Sequence, residues 1–172
     1  MLTASHNLDA RPIAMTSPTG FAELYEQYYA LVYRAALRVT GCPADAEDVL
    51  QTVFLRVLSQ GGRQDPVLAP EAYFRRAAVN AAVDLLRRRA SRAEEPFNDA
   101  LPHAAAEGPA FLKERLRRAI ATLEQSDAVI FLMRYVEGTS NGELAEIFGL
   151  EKNNVAVRLH RIRQTLQAEM ER

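Results

Sequence analysis

From Phe21 to Val39 the apolar side chains fall three or four positions apart: Phe21, Leu24, Tyr28, Leu31, Ala35 and Val39. That spacing is the period of an α-helix and places all six on one face. The period returns further along the chain, and no stretch alternates apolar with polar residues as a half-buried strand does. A chain patterned this way buries its apolar faces by packing helix on helix. The expected fold class is all-α.

Glycine and proline divide the pattern. Gly41 and Pro43 end the first helix. The next is expected from Pro43 to Leu58, with Ala46, Val49, Leu50, Val53, Phe54, Val57 and Leu58 on one broad core face. Gly61, Gly62, Pro66 and Pro70 mark a loop. A third helix, from about Glu71 to Ala90, turns Phe74, Ala77, Ala78, Ala81 and Leu85 to the core, the alanines small enough to admit a second helix closely. Residues 93–110 hold three prolines and four acidic residues against no basic one, and are expected to be a flexible linker. The domain reading is a disordered leader over 1–20, a helical domain over 21–92, this linker, and a second helical domain over 111–172.

Composition excludes several function classes. With the single cysteine Cys42 there is no internal disulfide, and His6, His103 and His160 are too scattered for a metal site. No apolar run approaches the ~20 residues of a membrane helix. Residues 1–20 are interrupted by His6, Asp9, Arg11, Pro12 and Pro18, so no signal-peptide core is expected there. A cytoplasmic protein without membrane insertion, cofactor, metal or small-molecule substrate is expected. No nucleophile–base pair or phosphate loop is evident, so the chain is read as no enzyme.

The net charge of −1 conceals a segregation. Residues 21–60 carry five acidic side chains against three arginines; residues 71–92 carry six arginines against Glu71 and Asp84. Different signs suit different partners, although a solvated basic helix end would look the same. On the second helix Asp48, Gln51, Thr52 and Leu55 lie away from the core, an apolar anchor within a polar rim; one ordinary exposed leucine is the equal alternative. On the third helix Tyr73, Arg76, Asn80, Asp84 and Arg87 form a stripe, continued by Arg88. A ring that stacks, an amide that reads a base edge and guanidinium groups that hold phosphate suit unpaired bases.

The last third holds the clearest local pattern. A helix through Ala128, Phe131, Leu132 and Tyr135 stops at Gly138. Ser140 and Glu143 have the spacing of a capping box, Gly149 breaks the helix they open, and Val155, Leu159, Ile162 and Leu166 stripe a second helix from Lys152 to Met170. This is a helix-turn-helix, whose second helix enters the major groove. Asn153, Val157, His160, Arg161 and Gln164 oppose the apolar stripe, with Asn154, Arg158 and Arg163 on the flanks. Asn and Gln match adenine, Arg matches guanine, and flanking arginines grip phosphates. A helical hairpin for protein contacts is the alternative.

Four stretches, FAELYEQYYALVYRAALRVTG, DAEDVLQTVFLRVL, YFRRAAVNAAVDLLRRR and LRRAIATLEQSDAVIFLMRYVEGTSNGELAEIFGL…VRLHRIRQTL, together resemble the extracytoplasmic-function sigma factors of bacterial RNA polymerase. The resemblance implies a subunit that binds core polymerase and directs initiation from −10 and −35 promoter elements. It implies that Asp45, Asp48, Gln51, Thr52 and Leu55 dock on the polymerase clamp, and that Tyr73, Arg76, Asn80, Asp84, Arg87 and Arg88, with the loop 61–70, read and melt the −10 region. It assigns the −35 element to Asn153, Asn154, Val157, Arg158, His160, Arg161, Arg163 and Gln164, and implies an anti-sigma factor as a further partner. The chain departs from the family pattern at Leu123-Glu124, where Leu-Pro is common, at Glu151, where a good helix cap is usual, and at Ala156-Val157, where Lys-Ser is common. A stand-alone helix-turn-helix regulator is the alternative function, and a sequestering homologue a third.

Overall fold

The computed structural model describes residues 18–59, 70–94 and 108–171. These form α1 (Pro18–Thr40), α2 (Pro43–Ser59), α3 (Pro70–Glu94), α4 (Pro109–Thr122), α5 (Gln125–Tyr135), α6 (Asn141–Phe148) and α7 (Lys152–Met170), with no strand among them. Each of the first four helices opens on a proline. Its ring presets φ for the helix, and the N–H it lacks would have had no partner in the first turn.

Three expected boundaries move. Residues 18–20 belong to α1 rather than to a leader, and α3 and α4 take four residues from the ends of the expected linker. Residues 1–17 of the leader, 95–107 of the linker and most of the loop 61–70 lie outside the described residues.

In the first domain α1 packs on both α2 and α3. An aromatic stack ties the three together: Phe74 of α3 lies flat on Tyr28 of α1 at 4.6 Å between ring centroids and on Phe54 of α2 at 5.5 Å. Tyr28 is buried there, and that burial raises its hydroxyl above the usual pKa of 10.0, with Glu71 adding to the effect. Leu50 is only half-buried and Leu58 is 51% exposed, so the core face of α2 is narrower than its periodicity implied.

α3 is the centre of the molecule. Its buried residues, Phe74, Ala78, Val79, Ala81, Ala82, Val83, Leu85 and Leu86, surround most of the helix. α1 and α2 cover one side, while α4 and α5 of the second domain cover the other. A helix apolar on most faces is one buried on most faces, and the alanines bring its neighbours close.

The second domain follows its local signals. The Ser140–Glu143 capping box opens α6, with the Ser140 N–H 2.8 Å from the Glu143 carboxylate and the Glu143 N–H 3.2 Å from the Ser140 hydroxyl. These bonds to Ser140 hold the Glu143 pKa below its usual 4.5. Gly149 closes α6 at φ +62°, in the left-handed region where a side chain is strained. α7 then buries Val155, Leu159, Ile162 and Leu166.

Candidate polymerase and nucleic-acid interfaces

Asp48, Gln51 and Leu55 stand on the outer face of α2, and Leu55 is 63% exposed. Thr52 is half-buried and donates its hydroxyl to the Asp48 carbonyl at 2.8 Å. Leu58, expected in the core, continues the Asp48–Gln51–Leu55 row at helical spacing, so the face carries two exposed leucines. Asp45 does not belong to this face. Its side chain is buried and ion-paired with Arg89 of α3, because the first turn of α2 is turned toward the end of α3. An aspartate held in that way ties helix to helix and is not presented to a partner.

The expected α3 stripe is brought together, but it is not a solvent stripe. Tyr73, Arg76, Asn80, Asp84 and Arg87 are all half-buried; Arg88 is exposed. A groove of about 300 Å³ runs between α2 and α3, lined by Val53, Arg56, Tyr73, Arg76, Ala77 and Asn80. Arg56, which periodicity left unassigned, also lies 3.6 Å from the Asp84 carboxylate. Both partners are well exposed, so the pair contributes little stability and leaves the guanidinium free to exchange partners. Arg76 donates to the Ile147 carbonyl at 2.9 Å and lies 4.4 Å over the Phe148 ring. Arg87 donates to the Leu123 carbonyl and, at 2.7 Å, to the Gln125 side chain.

The outward face of α7 is open. Asn153, Asn154, Val157, His160, Arg161, Arg163 and Gln164 are exposed, while the apolar stripe opposite is buried. Arg158 is different: it is half-buried and ion-paired with Asp127, with Ser126 and Glu124 also accepting from it. It therefore anchors α7 to the start of α5. Glu124 caps α5 by accepting from the Ser126 N–H at 3.1 Å. Hydrogen bonds from the Ser126 hydroxyl, then from its N–H, hold the Glu124 carboxyl below its usual 4.5. The glutamate standing where proline is common thus supplies both a cap and an ion-pair partner. Asp127, Asn154, Val157, Arg158 and Arg161 line a shallow groove of about 380 Å³ beside the recognition helix. Asp127 was not legible as part of this surface, since its contact with Arg158 spans 31 positions.

Glu151 leads into α7 without a side-chain cap hydrogen bond. Glu151→Ser is expected to stabilise the protein by about 0.5–1 kcal/mol, read as a higher denaturation midpoint. No gain would mean that the first turn of α7 is already satisfied by solvent.

Among the described residues no group of three or more His, Cys, Asp and Glu is arranged to hold a metal ion. No described helix is long and apolar enough to cross a membrane.

The family model Sigma-70 region 2 matches residues 24–92, and Sigma-70, region 4 matches residues 113–166. The RNA polymerase sigma-E factor of Streptomyces antibioticus is 31% identical over 133 residues, covering 75% of this chain and 72% of that protein. The ECF RNA polymerase sigma factor SigE of Mycolicibacterium smegmatis is 29% identical over 153 residues; the match covers 84% of this chain but 59% of that longer protein. In fold, the chain is similar to CnrH, solved in complex with the cytosolic domain of CnrY, at a TM-score of 0.54, 22% identity and 92% coverage of both chains. The two matched regions coincide with the two helical domains, and on this ground the chain belongs to the RNA polymerase sigma factors of the sigma-70 family, in the extracytoplasmic-function group, which are promoter-specificity subunits of the polymerase and not enzymes.

Proposed function

We propose that this chain binds core RNA polymerase through Asp48, Gln51, Thr52 and Leu55 of α2, reads and opens the −10 element with Tyr73, Arg76, Asn80, Asp84, Arg87 and Arg88 of α3, and reads the −35 element with the outward face of α7. The observation that carries the reading is the division of labour around α7: four apolar residues are buried while Asn153, Asn154, Val157, His160, Arg161, Arg163 and Gln164 face solvent. That set combines adenine-matching amides, a guanine-matching arginine and an apolar side chain suited to the thymine methyl. Arg158 takes the role of a positioning residue whose pairing with Asp127 sets how α7 sits on α5. The working compartment is the cytoplasm, where the polymerase is, and an anti-sigma factor is the expected protein antagonist.

Run-off transcription with purified core polymerase tests the whole reading. Discrete transcripts that need this protein, with start sites sharing −10 and −35 elements, are expected. Tight binding to promoter duplex without polymerase, and no transcripts, would favour the stand-alone regulator instead. Arg161→Ala is expected to lose about 1–3 kcal/mol of discrimination at one −35 position, measured by competition among single-base variants of the element. An unchanged preference at every position would remove Arg161 from the base-reading set.

A further inference from the structure

Two carboxylates stand where the outward face of α7 meets the start of α5. Glu124 and Asp127 both accept from Arg158, Glu124 at 3.3 Å, and with side chains 63% and 30% exposed both remain open to solvent. Asp127 also lines the shallow groove that Asn154, Val157 and Arg161 line from α7. A phosphate arriving at this rim would meet two anions against one guanidinium, so the rim is a poor place for the DNA backbone. Asp127 is not needed to cap α5 either, since Glu124 does so. The base edges offer what the backbone does not. In the major groove the hydrogen-bond donors are the amino groups of cytosine and adenine, and a carboxylate suits that of cytosine. A G·C pair presents two acceptors, N7 and O6 of guanine, beside the N4 donor of cytosine, whereas an A·T pair alternates acceptor, donor, acceptor. Arg161 and Asp127, sharing one groove, supply a forked pair of donors and an acceptor. Arg158 steadies the acceptor: its Nε takes Oδ1 of Asp127 and so leaves Oδ2. An aspartate held in this way has little side-chain freedom left to lose when it meets a base.

We propose that Asp127 is a base-reading residue of the −35 interface, contributed by α5 and not by the recognition helix: Arg161 takes the guanine and Asp127 the cytosine of one G·C pair, in one orientation. The inference rests on the proposed −35 role of α7 and adds to it a residue outside that helix. Orientation follows from the order of the groups. Exchanging the two bases sets the cytosine amino group against the Arg161 donors and the guanine acceptors against the carboxylate, so donor meets donor and acceptor meets acceptor. Arg158 is the positioning residue for both readers, since it holds α7 on α5 and steadies Asp127.

The test uses the holoenzyme formed by the full chain with core polymerase. Promoter fragments carrying every single-pair change in the −35 element compete for binding to the parent and to Asp127→Asn. Asparagine keeps the size of the side chain and an oxygen for Arg158, but turns the free acceptor into an amide donor. The variant is expected to lose at least about fivefold of the preference for G·C at one −35 position and to keep its preferences elsewhere. A promoter with N4-methylcytosine at that position still pairs with guanine but gives up its donor in the groove. It is expected to bind the parent holoenzyme at least about fivefold more weakly than unmodified promoter, and Asp127→Asn nearly as well as unmodified promoter. Coupling between one side chain and one amino group closes a double-mutant cycle, and a carboxylate that only seats α7 would not produce it. Affinity that changes uniformly or not at all, with every preference kept, would overturn the proposal. So would a methyl group that weakens both holoenzymes equally. Arg161→Ala then separates the causes: if it alters a −35 preference, Asp127 alone has been misassigned; if it alters none, the −35 reading of α7 has failed as well.

Discussion

Replacing Leu55 with aspartate is expected to weaken binding to core polymerase by about 2–4 kcal/mol, a loss of roughly 30- to 1,000-fold in affinity. The leucine is 63% exposed in the middle of a polar face, so the folded chain gains little from it. At an interface the same side chain would be an anchor, and a carboxylate in its place would be desolvated without a partner. Helix content should be nearly unchanged, since aspartate costs an exposed helical position less than about 1 kcal/mol. Binding to −35 duplex should also be unchanged, because α7 lies in the other domain. Titration of labelled core polymerase beside a duplex-binding assay checks both. Equal loss in the two assays would show that the surfaces are not separate, and an unaltered affinity for core would move the docking face away from Leu55. Leu58, on the same row, is the next position to examine.

Phe74→Ala is expected to cost about 3–5 kcal/mol of stability, a large share of the 5–15 kcal/mol that holds a typical domain together. Phe74 is 2% exposed and its ring touches three others: Tyr28 and Phe54 face to face, and Tyr73 edge-on at 5.3 Å. Removing it opens a void where α1, α2 and α3 meet, and large rings cannot collapse into such a space. Urea unfolding followed by circular dichroism reads the loss. A change under about 1 kcal/mol would mean that the helices close over the gap. Because Tyr73 and the groove beside it belong to the proposed −10 surface, opening of promoter DNA should suffer before the chain unfolds.

Periodicity, with the glycine, proline and capping signals that punctuate it, determined the helical class, the two domains and the helix-turn-helix. It did so most securely where every signal is local: the Ser140–Glu143 box, the left-handed Gly149, and the Val155–Leu159–Ile162–Leu166 stripe need no distant partner. The outer face of α7 was legible for the same reason, since a helix with one apolar stripe has only one other side to show. Tertiary structure decided the rest. Asp45 reads as a surface acid until Arg89, 44 positions away, is found against it. Leu58 reads as core until the narrow contact of α2 leaves it outside. The α3 stripe reads as open because a sequence period identifies faces of a helix but not how many neighbours will cover them. Arg158 and Asp127, and Arg38 and Glu137 at 99 positions apart, pair only once the helices are packed. A charge pattern records which groups a chain carries; whether an arginine meets a carboxylate, a helix end or a phosphate depends on what the fold brings within hydrogen-bonding reach.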